Sequence, residues 1–117
     1  MNKTAIVIDD DYDTVDTFSE LLEEQQITVI GKGYNGKNAI DLYLKHSPDV
    51  VFIDIMMPDG SGFHAIRNIQ KINDKAKIIA VTADLKPSTN EKLMDLKIHG
   101  LVYKPLDIEK ILYLVNN

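Results

Sequence analysis

Four short apolar runs in this chain each stop at residues able to do chemistry. Ile8 is followed by Asp9-Asp10-Asp11, Ile53 by Asp54, Val81 by Thr82 and Tyr103 by Lys104. Brought together, these residues supply carboxylates, one hydroxyl and one ammonium. Two carboxylates about 4 Å apart repel by ~4 kcal/mol at an effective dielectric of about 20, so a cluster of three needs a cation or a proton. Ligation by oxygen alone favours Mg²⁺, which keeps several waters and shares phosphate oxygens. Thr82 can then donate a hydrogen bond to a phosphate oxygen, and Lys104 can offer it a charge. Asp54, at the centre of the set, is placed to be a nucleophile.

The elements that must position these residues follow from the hydropathy pattern. Ala5–Ile8, Val50–Ile53, Ile78–Val81 and Leu101–Tyr103 are short, continuous and rich in β-branched or aromatic residues, which suits strands buried on both faces. Ile27–Ile30, interrupted by Thr28, is a fifth. Between them lie amphipathic stretches. Asp13–Glu24 groups Val15, Phe18, Leu21 and Leu22 on one face; Lys37–Lys45 groups Ile40, Tyr43 and Leu44; Phe63–Ile72 groups Phe63, Ile66, Ile69 and Ile72. Ser88–Lys97, with Leu93 and Leu96, follows a proline suited to a helix start, and Ile108–Val115 closes the series. A strand–helix pair repeated five times predicts an α/β fold, a parallel sheet covered on both sides by right-handed crossovers. In such a sheet every carboxyl end lies on one edge, so the polar stops gather where open α/β sheets bind ligands.

With these residues in order, the sequence resembles the receiver domain of two-component response regulators over essentially its whole length, 1–117. The matching pieces are Ile8-Asp9-Asp10-Asp11, Asp54-Ile55-Met56-Met57-Pro58-Asp59-Gly60-Ser61-Gly62, Thr82-Ala83 and Lys104-Pro105, with 28 residues from Asp54 to Thr82 and 22 from Thr82 to Lys104. The resemblance implies a flavodoxin-like, doubly wound, five-stranded parallel sheet of order 2-1-3-4-5 with five helices. It implies a phosphoacceptor regulatory domain of the chemotaxis type, not an enzyme beyond self-catalysed phosphotransfer and dephosphorylation. Asp54 would accept a phosphoryl group from a phosphohistidine on a sensor histidine kinase or a phosphotransfer protein. Asp10 and Asp54 would ligate Mg²⁺ directly, Asp9 through water, and Met56 through its backbone carbonyl. Thr82 would bind a phosphoryl oxygen, Lys104 would pair with phosphorylated Asp54, and the Lys104–Pro105 bond would be cis. A downstream output protein would read the surface of the fourth helix, fifth strand and fifth helix. The family usually has an aromatic ring three residues before the lysine; here that position is Leu101, and Tyr103 lies on the same strand face.

Blander readings exist for each piece. One acid of the triplet, Asp11 or Asp13, suffices to cap the following helix. Thr82 suits a strand, and Lys104 could be a solvated strand end. Asp59-Gly60-Ser61-Gly62 is turn chemistry, with glycines that permit positive φ. His46, His64 and His99 share no ligand spacing. Asp13, Asp16, Glu20, Glu23 and Glu24 form a solvated acidic face that could also help choose the kinase.

Two rival functions compete. Gly31-Lys32-Gly33-Tyr34-Asn35-Gly36 matches the dinucleotide-binding pattern, with Asp54 where a ribose-binding acid would fall. That reading leaves Asp9, Asp10, Thr82 and Lys104 unexplained, and the bland alternative is a glycine-rich turn. An aspartyl-nucleophile phosphatase needs a second Asp two residues after the first, where Met56 stands and cannot transfer a proton. Composition narrows the field further. Thirteen Lys+Arg against eighteen Asp+Glu, a net charge of −5 and no basic stripe argue against a nucleic-acid partner. The absence of cysteine excludes disulfides, thiol catalysis and zinc–thiolate sites. No aliphatic stretch approaches the ~20 residues of a membrane span, and the expected location is cytoplasmic.

Overall fold

A computed structural model describes residues 2–59, 61–83 and 86–117, without the side chains of Pro87 and Asn90. The chain runs β1 (Thr4–Ile8), α1 (Tyr12–Glu24), β2 (Thr28–Gly33), α2 (Gly36–His46), β3 (Val50–Asp54), α3 (Ser61–Ile72), β4 (Ile78–Thr82), α4 (Pro87–Asp95), β5 (Gly100–Tyr103) and α5 (Ile108–Asn116). All strand pairs are parallel and the sheet order is β2-β1-β3-β4-β5, as the resemblance implies. Every residue of β3 and β4 is buried, which is why their sequences are continuous apolar runs.

Strand alternation divides the core in two. Ile6, Ile8, Val51, Ile53, Ile78 and Ala80 point to one face, against Ala39 and Tyr43 of α2, Ile66 and Ile69 of α3 and Leu93 of α4. Ala5, Val7, Val50, Phe52, Ile79, Val81 and Val102 point to the other, against Val15, Phe18 and Leu22 of α1 and Ile111 and Val115 of α5. Phe18 and Phe52 meet with ring centroids 5.1 Å apart, a tilted contact that adds to simple burial.

Three expectations are corrected. In α2 the inward residues are Gly36, Ala39 and Tyr43, so Leu44, about 100° further round the helix, is exposed. Ile72, at the end of α3, is exposed too. Most consequentially, β2 does not stop at Ile30. It runs to Gly33, pairing Gly31 with Ile6 and Gly33 with Ile8. The glycines are therefore ladder residues, neither a phosphate cradle nor a turn. Their reason is close approach of α2: a Cβ on Gly31 would lie 2.9 Å from Leu42 Cδ2, and one on Gly33 would lie 2.8 Å from Asn38 Cβ.

Candidate functional site

The four polar strand ends come together on the carboxyl edge of the sheet. Asp9 follows β1, with its N–H donating to Gly33 O at 3.1 Å. Asp54 closes β3, Thr82 closes β4, and Lys104 follows β5. The acidic triplet splits into two roles. Asp11 is the N-cap of α1, its carboxylate accepting from Asp13 N at 3.1 Å and from the Thr14 hydroxyl at 3.0 Å. The Thr14 bond leads in holding the Asp11 carboxyl below its ordinary range. Asp9 and Asp10 are left for the site. One oxygen from each of Asp9, Asp10 and Asp54 lies within 4.8 Å of the others. Asp10 is exposed, whereas Asp9, Asp54 and Thr82 are buried.

Each buried carboxylate divides its oxygens the same way. Asp9 Oδ1 accepts the Asp11 N–H at 2.9 Å, and Asp54 Oδ1 accepts the Met56 N–H at 2.8 Å. Their Oδ2 atoms share the Lys104 ammonium, 2.8 Å from Asp9 and 3.1 Å from Asp54. Burial pushes the Asp54 carboxyl above its ordinary value, against the Met56 N–H and the Lys104 charge; the Asp9 charge reinforces the rise. Burial alone would lower Lys104, but the Asp9 bond and the Asp54 charge outweigh it and hold the ammonium above its ordinary range. The site therefore sets a buried carboxylate of raised basicity beside a fixed cation, and its three carboxylates fit an oxygen-ligated divalent ion.

The loop after Asp54 is pinned from both sides. Ile55 and Met57 are buried in the core, leaving the Met56 side chain outward and 47% exposed. Asp59 Oδ1 accepts the Ser61 N–H at 3.0 Å, and Ser61 Oγ accepts the Gly36 N–H at 2.8 Å, tying the start of α3 to the start of α2. Gly60 lies outside the described residues. Gly62 differs from expectation: it is a helical residue whose missing side chain gives room, since a Cβ would lie 2.9 Å from Ile55 Cα and 3.0 Å from Asp54 O. Gly36 is similarly placed: a Cβ there would lie 2.5 Å from Ser61 O. Sequence reasoning gave Gly62 a turn role in shaping the loop after Asp54 and Gly36 a place in a glycine-rich turn; that both instead make room for close approach at the starts of α3 and α2 it did not foresee.

Elsewhere the expectations divide cleanly. Lys104–Pro105 is cis, and Lys104 N donates to Thr82 O at 2.8 Å. Leu101 and Tyr103 do share a face, lining with Leu93, Met94, Ile98 and Lys110 a groove of about 420 Å³ between α4, β5 and α5. His64 and His99 are exposed and His46 is half-buried; among the described residues no histidine joins the carboxylate cluster. No helix among the described residues is long and apolar enough to cross a membrane.

The family model of the response regulator receiver domain matches residues 5–116. Protein CcdB of Bacillus subtilis is 33% identical over 112 residues, covering 96% of this chain and 93% of its own. The chemotaxis protein CheY of the same organism is 27% identical over 116 residues, covering 99% and 97%. Among solved structures, the CheX–CheY–BeF₃–Mg²⁺ complex from Borrelia burgdorferi superposes with a TM-score of 0.88 at 25% identity, covering 97% of this chain and 86% of that one.

Proposed function

This chain belongs to the response regulator receiver domain family, and we propose that Asp54 is the phosphoacceptor through which it acts as a phosphorylation-dependent signalling switch. The observation that carries the assignment is Asp54, a residue 6% exposed whose carboxylate is held between the Met56 N–H and Lys104 beside Asp9 and Asp10. Its donor is a phosphohistidine of a sensor histidine kinase or a phosphotransfer protein. An Asp54 oxygen attacks phosphorus, an O–P bond forms and the N–P bond breaks. The bonding pair returns to the imidazole nitrogen, which takes up a proton on leaving. Asp10 and Asp54 would hold Mg²⁺ directly, Asp9 through water and Met56 by its carbonyl. Bound there, the ion offsets the repulsion among carboxylates and phosphoryl oxygens. Thr82 donates its hydroxyl to a phosphoryl oxygen, and Lys104 pairs with the phosphorylated side chain.

The output is a biased two-state surface, because a local charge acts at a distance only through contacts that differ between states. We assign that surface to the groove between α4, β5 and α5, read by a downstream protein. With Leu101 in place of a ring, aliphatic repacking and movement of Tyr103 fill the space behind Thr82. Beryllium fluoride with Mg²⁺ should therefore shift amide signals around Thr82, Lys104 and α4. Tyr103→Ala should reduce the shifts in α4 by about half while sparing those beside Asp54. Full retention of the α4 shifts would make Tyr103 core packing only.

Met56 also bears on how long the phosphoryl group lasts. An apolar side chain beside the path of the attacking water cannot orient it, so the aspartyl phosphate should decay slowly. In receiver domains the side chains two past the phosphorylated Asp and two past the Thr flank that path; here they are Met56 and Asp84, and Asp84 lies outside the described residues. Met56→Asn should shorten the lifetime several-fold, measured as phosphate release after removal of the donor. An unchanged or longer lifetime would remove Met56 from this role.

A further inference from the structure

α4 is thinly seated. Among its described side chains only Thr89 and Leu93 are buried, whereas α3 buries Gly62, Ala65, Ile66 and Ile69. Asp11, Asn35 and Asp107 cap α1, α2 and α5, but Lys86 makes no side-chain cap for α4. Two contacts with α3 supplement Leu93. The Lys92 ammonium sits over the Phe63 ring, 5.6 Å from its centroid, and the Gln70 amide donates to the carbonyl of Leu96, the C-cap of α4. Phe63 and Gln70 are seven residues apart on α3, and Lys92 and Leu96 are four apart, so each pair shares a helix face. A third observation is independent of both contacts. An open groove of about 440 Å³ lies between α4 and the loop after Asp54, with Met56, Phe63, Thr89 and Lys92 in its lining. α4 therefore has space to move on the side of the phosphoryl site, and beside Leu93 these two contacts oppose it.

We propose that Gln70 and the Lys92–Phe63 pair form a latch that holds α4 in its unphosphorylated position, and that both contacts are absent from the state favoured by phosphorylated Asp54. The latch rests on the reading of Asp54 as the phosphoacceptor and names what opposes its switch. The chemistry suits a catch that opens. A cation over a ring and a single amide–carbonyl bond, made by groups that water can reach, are each modest in strength. Neither contact, on opening, exposes a large apolar area. Phe63 also lines the groove beside Met56, so movement of the loop after Asp54 reaches the ring of the latch directly.

The test uses the full chain and two variants that remove one contact each at nearly constant shape. Gln70→Glu cannot donate, and Lys92→Met keeps the stem without the charge. Lys92→Arg retains a cation for the ring and serves as the rescue. Amide signals of Leu93–Leu96 and Val102–Tyr103 are followed in the free protein and on titration with beryllium fluoride and Mg²⁺. Gln70→Glu and Lys92→Met should each move the free-state signals along the line toward the beryllium fluoride end point, an equilibrium shift of about threefold. A ligand that selects a minor state gains apparent affinity in proportion to that state's population. Beryllium fluoride should therefore bind about threefold more tightly to each variant and about tenfold more tightly to the double variant. Lys92→Arg should match wild type. A merely structural role would lower Tm with unchanged or weaker binding. That result, or signals displaced off the line, would overturn the latch while leaving Asp54 as the acceptor. Undiminished beryllium fluoride binding in Asp54→Asn would overturn the latch together with the phosphoacceptor reading.

Discussion

Incubated with Mg²⁺ and acetyl phosphate, the wild-type chain gains one phosphoryl group and Asp54→Asn gains none, a loss of at least on the order of 100-fold in labelling read by mass spectrometry. The carboxamide is neutral, and its nitrogen lone pair is delocalised, so the side chain keeps its shape but loses its nucleophile. Asp10 is exposed and Asp9 is bound to Lys104 and Asp11 N, so neither replaces the buried carboxylate aligned by Met56. Labelling of the variant at the wild-type level would refute the assignment. The same substitution should act oppositely on stability. Burial raises the Asp54 pKa in the folded state. Its favourable contribution is therefore complete below the unfolded value of about 3.9 and is lost as pH rises through the folded value. At neutral pH without metal the ionised carboxylate destabilises the fold, and Asp54→Asn should raise Tm by a few degrees; ~1 kcal/mol moves Tm by about 4–8 °C in a domain of roughly this size. The gap should close below pH ~4, where wild-type Asp54 is protonated. A gap that widens on acidification would show that burial is not the dominant influence.

Gly62→Ala should disturb the segment that carries Asp54. The new carbon would meet Ile55 Cα at 2.9 Å and Asp54 O at 3.0 Å, both backbone atoms of the segment carrying the nucleophile. Overpacking of this kind costs ~1–3 kcal/mol, more than the ~1 kcal/mol that alanine gains over glycine in a helix. Displacing the loop by a few tenths of an ångström also moves the Met56 N–H off Asp54. Misplacement near 1 Å can slow a reaction by about 100-fold, so a drop of about tenfold in phosphorylation rate is expected here. Gly31→Ala is the control, because its nearest neighbour is the end of the flexible Leu42 side chain and no backbone atom is among its close contacts. It should lose less stability and leave the rate unchanged. Equal effects from both substitutions, by thermal melt and by rate, would reject the close-approach role of Gly62.

These two variants also mark how far the sequence reaches. The five strands, the five helices and the four polar strand ends could be read directly, because burial on both faces forces continuous apolar runs such as Val50–Ile53, and a polar residue ends each of the four runs where the strand leaves the core. Parallel topology then places Asp9, Asp10, Asp54, Thr82 and Lys104 on one edge without any knowledge of distances. What the sequence could not express was which groups share a proton donor or a narrow gap. The Lys104 ammonium bridges Asp9 and Asp54 across 95 and 50 residues of chain, and burial raises the Asp54 pKa against that bridge. Gly31, Gly33, Gly36 and Gly62 read as turn or phosphate-loop glycines, yet their cause is the approach of α2 to β2 and of α3 to α2 and the Asp54 loop. Leu44 looked inward because a helical period has no absolute phase until the helix packs. Periodicity and polarity are local and are written along the chain. Contact distances and dielectric environment arise between elements far apart in sequence, and only the assembled tertiary structure decides them.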